Sequence, residues 1–112
     1  MAQPVVHFEV HGKDGKKLQE FYSKLFGWRV DANNPMNYGL VEATDGGIGG
    51  GITQSDEPMV TFYVNVPDGA AALKTAESLG AKTVMPPTAV PGGPEIAQFA
   101  DPDGNVIGLS KM

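Results

Sequence analysis

The chain has 112 residues, of which 41% are apolar and 19% charged, with a net charge of −5 and an isoelectric point near 4.8. That size and composition fit one globular domain and exclude a disordered chain; the acidic balance excludes the basic surface that nucleic acids and anionic membranes require. The absence of cysteine removes disulfides, thiolate metal sites and a cysteine nucleophile, and no apolar run reaches the length of a membrane span.

The opening Met1-Ala2-Gln3-Pro4 lacks the basic and apolar regions of a secretory leader, so a cytoplasmic location is expected. Residues 4–10, PVVHFEV, alternate: Val6, Phe8 and Val10 point one way, Val5, His7 and Glu9 the other, as in a half-buried strand. In DGKKLQEFYSKLFGW, the apolar Leu18, Phe21, Tyr22, Leu25 and Phe26 fall at helical spacing, with Asp14 as N-cap and Gly27 as C-cap. Three short strands, WRVDA, NYGLVEA and GIGGGIT, follow, broken by turns at Asn33-Asn34-Pro35 and Asp45-Gly46.

The same order then returns. VTFYVNV (60–66) alternates as a strand, and DGAAALKTAESLG reads as a helix with Asp68 as N-cap, Leu73, Ala76 and Leu79 on its inner side and Gly80 as C-cap. AKTVM, EIAQFA and NVIGLS are three further strands, the last two joined through Asp101-Pro102-Asp103-Gly104, a strong hairpin signal. Shifted by 54 residues, Phe8-Glu9-Val10 lies on Phe62-Tyr63-Val64 and Asp14 on Asp68; at 58, Asp45-Gly46 lies on Asp103-Gly104 and Gly50 on Gly108. The chain therefore reads as one domain of two tandem βαβββ modules, about 4–54 and 58–111.

The pattern FYSKLFGW after VVHFEV, with DPDGN before the last strand, resembles the vicinal oxygen chelate superfamily of glyoxalase I, bleomycin and fosfomycin resistance proteins and extradiol dioxygenases. The likeness covers nearly the whole chain and is nearest to the small glyoxalase-like proteins of bacteria. The fold it implies is α+β: a curved eight-stranded mixed sheet around a cleft, with helices on the outer face. It also implies a homodimer and four cleft sites on the first and last strands of the modules, which in metal-dependent members hold a divalent metal. Carried onto this chain, those sites are His7, Gly50, Thr61 and Gly108. Glycine has no donor and a neutral threonine hydroxyl is a poor ligand, so no metal and no cofactor is expected; a site relocated onto His7 and Glu9, with Glu42 or Gln98, is the alternative.

Candidate acid–base residues are His7, Glu9 and Tyr63, and candidate ligand-binding residues are Thr61, Asn65, Gly50, Gly108 and Gln98. An imidazole and a carboxylate on one strand face suit proton transfer, and Tyr63 with Asn65 would give an aromatic wall with polar hooks. Trp28 and Tyr38 can serve packing as well as lining, and His11 is expected on solvated surface. GGIGGG (46–51) is no phosphate loop, because no Gly-Lys-Ser/Thr and no helix follow it; its glycines, with Gly108, should leave the cleft roomy. The segment MPPTAVPGGPE reads as a connection, able to cover a cleft mouth. The functional expectation is a small organic molecule as ligand or substrate, with metal-independent lyase, isomerase or hydrolase chemistry. The rivals are a non-enzymatic binding or resistance protein and a metal-dependent lyase with relocated ligands.

Overall fold

The computed structural model describes residues 2–111. The elements run β1 (Val5–Gly12), α1 (Gly15–Phe26), β2 (Val30–Asp31), β3 (Gly39–Val41), β4 (Gly49–Gln54), β5 (Met59–Asn65), α2 (Gly69–Ser78), β6 (Lys82–Ala89), β7 (Glu95–Ala100) and β8 (Val106–Lys111). The βαβββ order thus occurs twice, and the chain is of the α+β class. The eight strands pair in a mixed manner: β1 with β4 and β5 with β8 are parallel, and the outer pairs are antiparallel. Among the described residues no helix is long and apolar enough to cross a membrane.

The chain forms two compact units, residues 7–61 and residues 62–111 with 2–6. In the first, the strand order is β2-β3-β4-β1. Asp14 accepts a hydrogen bond from the Lys17 amide at 3.0 Å, and Gly27 ends α1 at φ 71°, the left-handed conformation that glycine adopts without strain. Phe8 and Val10 stand beside Gly50 and Ile52, and Ile52 is fully buried. Trp28 joins this face to the helix, with ring centroids 5.2 Å from Phe8, 5.7 Å from Tyr22 and 5.0 Å from Phe26.

In the second unit the order is β5-β8-β7-β6, and α2 opens on Asp68, which accepts from the Ala71 amide at 3.1 Å. Val66, Leu73, Ala97 and Leu109 form the core, with Val64, Ala72 and Phe99 packed against it. The β7–β8 turn is held by the Asp101 carboxylate, which accepts from the Asp103 amide, the Asn105 amide and Asn105 Nδ2, each at 2.9 Å. These bonds hold the Asp101 carboxyl below its ordinary range.

Four readings of the sequence need correction. Leu79 is the C-cap of α2, one residue before the expected Gly80, and is exposed rather than facing inward, because the helix ends before its side chain can turn onto the sheet. The segment after Met85 is not all connection: β6 continues through Pro86 and Pro87 to Ala89, with register irregularities against β7. Those prolines fit an edge strand, where a missing N–H costs no ladder bond. WRVDA shrinks to the two residues Val30–Asp31. The last-strand repeat is offset by 57 rather than 58: Glu9 pairs with Gly51 as Tyr63 pairs with Gly108.

That slip of one residue reverses the face. Gly50 lies beside Phe8, and a Cβ there would run into the Phe8 ring. Gly51, with Gly49, lies on the face of His7 and Glu9. The room expected at Gly108 is also taken, by the ring of Tyr63, which is 5% exposed. Gly108→Ala should therefore destabilise the protein by about 1–3 kcal/mol, as overpacking does. In the Tyr63→Ala background the added methyl has space, so a denaturation double-mutant cycle should show coupling above about 0.5 kcal/mol. Additive losses would show that the ring does not set the cost.

Candidate functional site

Alternation along β1 puts His7, Glu9 and His11 on one face of the first unit. Glu9 is 8% exposed, unusual for a carboxylate, and such a group needs hydrogen-bond donors. It has two. The Tyr38 hydroxyl donates to Glu9 Oε2 at 2.6 Å, and His11 Nε2 lies 2.6 Å from Glu9 Oε1. A carboxylate only accepts, so His11 Nε2 carries the proton in that bond.

Tyr38 also lies 2.8 Å from His7 Nε2, its ring nearly parallel to the imidazole at an interplanar angle of 14°. A phenol has one proton, and here it goes to Glu9. The contact with His7 is therefore filled by His7 Nε2–H donating to the phenol oxygen, which leaves the lone pair of the neutral imidazole on Nδ1. Burial pushes the His7 pKa below its ordinary value of 6.5, with the negative charge of Glu9 acting in the opposite direction. The result is a continuous chain: His7, Tyr38, Glu9, His11.

The seat for the phenol is made by a missing side chain. Gly51 is the register partner of Glu9, and a Cβ on it would overlap the Tyr38 hydroxyl. The backbone of Tyr38 is held by Asn34, whose Oδ1 accepts from the Tyr38 amide at 2.9 Å while its Nδ2 donates to the Tyr38 carbonyl at 2.7 Å. Gln19 of α1 donates from Nε2 to the Asn37 carbonyl at 3.2 Å and to the Ile52 carbonyl at 2.8 Å. An open groove of about 780 Å³ lies beside α1, lined by Lys16, Gln19, Ser23, Val30, Met36 and Asn37. Its lining meets the residues that hold Tyr38 but includes none of the four members of the chain.

Of the residues predicted from sequence, His7 and Glu9 are brought together through Tyr38. In the second unit Tyr63 accepts from Gln98 Nε2 at 3.1 Å, on the strand face that Gly108 shares. Asn65 stands opposite Ser110, with its Oδ1 buried and without a hydrogen-bond partner. Thr61 is 4% exposed, and Gly50 faces Phe8. Sequence reasoning left Tyr38 undecided and placed His11 in solvent. The alternation that joined His7 to Glu9 extends to His11, so that signal was present; Tyr38 had none, because it comes from a loop 29 residues away.

The side chains at the four positions that the family resemblance implies do not supply a metal-ligand set. Two of its positions are glycines, Gly50 points to the opposite face from His7, and Thr61 offers a neutral hydroxyl. Both Glu9 oxygens and His7 Nε2 are engaged in the chain of hydrogen bonds. Among the described residues no cluster of three or more His, Asp or Glu side chains is arranged to hold a metal ion.

Known proteins share this architecture. No sequence among curated proteins matches the chain. A hypothetical protein from Bacillus halodurans C-125 superposes with a TM-score of 0.72 at 11% identity, over 100% of this chain and 96% of that one. Methylmalonyl-CoA epimerase from Mycobacterium tuberculosis gives 0.70 at 15% identity, over 96% and 86%. A glyoxalase/bleomycin resistance protein/dioxygenase superfamily member from Vibrio splendidus 12B01 gives 0.66 at 17%, over 99% and 100%. At such identities the likeness is one of fold. In sequence, residues 7–110 match the family described as Glyoxalase-like domain, and the chain belongs to that family.

Proposed function

We propose that the protein catalyses metal-independent proton transfer on a small oxygenated organic molecule, with His7 as the base. The observation that carries this reading is the Tyr38 hydroxyl, held 2.8 Å from His7 Nε2 and 2.6 Å from Glu9 Oε2. In that tautomer Nδ1 carries the lone pair, and in the proposed reaction it takes a proton from an acidic C–H or O–H of the substrate. As Nδ1 takes that proton, the imidazolium is stabilised by the Glu9 carboxylate, relayed through the phenol. This is the base-and-orienter arrangement common to activated sites, with a tyrosine between the two. Return of the proton to another atom of the same molecule is an isomerisation, and loss of a leaving group instead is a lyase reaction. That a relative in fold is an epimerase agrees with proton abstraction beside a carbonyl but does not extend to its substrate.

The test is isotope exchange. The protein is incubated in deuterated water with a panel of small α-hydroxy ketones and aldehydes, and loss of the C–H signal is followed by NMR. Exchange above the buffer rate is expected, to fall about 10²–10⁴-fold in His7→Gln and by a comparable factor in Tyr38→Phe, the usual worth of a positioned acid or base. Dialysis against a chelator should leave the rate unchanged. No exchange with any compound in the panel, or a rate that follows added metal, overturns the reading.

A second expectation concerns pH. The folded pKa of His7 is lowered, so the unfolded chain binds more protons than the folded one between that value and 6.5. The stability tied to neutral His7 is complete above 6.5 and is lost as pH falls through the lowered value. Urea midpoints measured across this range should drop for the wild type, and drop less for His7→Gln. Equal slopes would remove His7 as the cause.

A further inference from the structure

Resting on the proposed chemistry, one further role can be assigned. We propose that Asn34 is a positioning residue, whose side-chain amide bonds both backbone groups of Tyr38 as a strand neighbour would and thereby fixes the Tyr38 phenol between His7 and Glu9.

The ladder between β2 and β3 is short. β2 pairs with β3 only at Val30↔Val41 and Asp31↔Leu40. Tyr38 lies just before Gly39, the first residue of β3, and so outside that two-pair ladder. A side-chain amide carries one acceptor and two donors on a planar group, the same pair of functions that a neighbouring strand residue would present. Asn34 uses both, at 2.9 Å to the Tyr38 amide and 2.7 Å to its carbonyl. The turn between them is tied as well: the Asn37 amide donates to the Asn34 carbonyl at 3.1 Å. Asn37 is a non-glycine residue at positive φ, 52°, among the described residues. That conformation is costly for most side chains and mild for asparagine.

The other side of the loop is pinned by α1. Gln19 Nε2 bonds both the Asn37 and the Ile52 carbonyls, and its side chain passes over Gly39, where a Cβ would stand 2.7 Å from Nε2. Gln19 therefore fixes where the loop sits against β4, and Asn34 fixes how Tyr38 leaves it. A hydroxyl that must meet two partners at 2.6 and 2.8 Å tolerates little error in either. No substrate contact is assigned to Asn34; it acts through Tyr38.

The test reads the phenol directly and needs no substrate. Protein labelled with carbon-13 at tyrosine Cζ gives lines from Tyr22, Tyr38 and Tyr63, and Tyr38→Phe identifies the Tyr38 line. In the wild type that line should be displaced from the position of a solvated tyrosine. In Asn34→Ala it should move toward the solvated position, while the Tyr22 and Tyr63 lines stay in place. Asn34→Asp, which keeps the acceptor and loses the donor, should fall between the two. A folded Asn34→Ala protein with an unmoved Tyr38 line overturns the proposal. If Asn34→Ala does not fold, Asn34→Asp decides by the same line. A wild-type protein that shows the displaced line yet exchanges no substrate proton would overturn the proposed chemistry and leave the positioning role standing.

Discussion

The first unit is organised around a carboxylate that has been taken out of water. Glu9 stands in β1 beside β4, at 8% exposure, and a buried carboxylate without donors would cost several kcal/mol. Both of its oxygens are engaged, and each donor imposes a condition elsewhere. His11 must share the Glu9 face, which the strand alternation provides. Tyr38 must reach across β4, which requires Gly51 at the register position of Glu9 and a loop that delivers the ring at the right height. Asn34, Asn37, Gln19 and Gly39 are then parts of one support for that loop. The site is built from one demand for hydrogen-bond donors.

The hydrogen-bonding state of His7 follows from the same demand. Because the phenol proton is committed to Glu9, the imidazole of His7 is held in one tautomer, and burial keeps it neutral near pH 7. At one position where the superfamily resemblance implies a metal ligand, His7 has its Nε2 turned to the Tyr38 hydroxyl. The two last-strand glycines on the matching faces, Gly51 and Gly108, carry no donors, and their space is filled by the rings of Tyr38 and Tyr63. Aromatic rings stand where open space was expected.

Much of this was legible in the sequence. The twofold βαβββ order, the caps at Asp14, Asp68 and Gly27 and the Asp101 hairpin rest on local rules, and local rules are written in neighbouring residues. What was not legible depends on register or on distant partners. A strand offset of 57 instead of 58 is invisible in a glycine-rich run, where GGIGGG offers only Ile48 to mark a face, yet it decides whether Gly50 or Gly51 borders the site. Tyr38 carries no periodic signal, and its partners His7 and Glu9 lie about 30 residues away along the chain. Leu79 looked interior by spacing alone, and only the end of α2 puts it outside.

Everything in this support requires that Tyr38 and Glu9 be energetically joined. The most direct measurement is a double-mutant cycle on unfolding free energy with Tyr38→Phe, Glu9→Gln and the pair. A buried, charge-assisted hydrogen bond predicts a coupling of about 1.5–3 kcal/mol, with each single change leaving a polar group of the other residue unmatched. Additivity within about 0.3–0.5 kcal/mol would mean that the two side chains do not depend on each other, and would contradict the account.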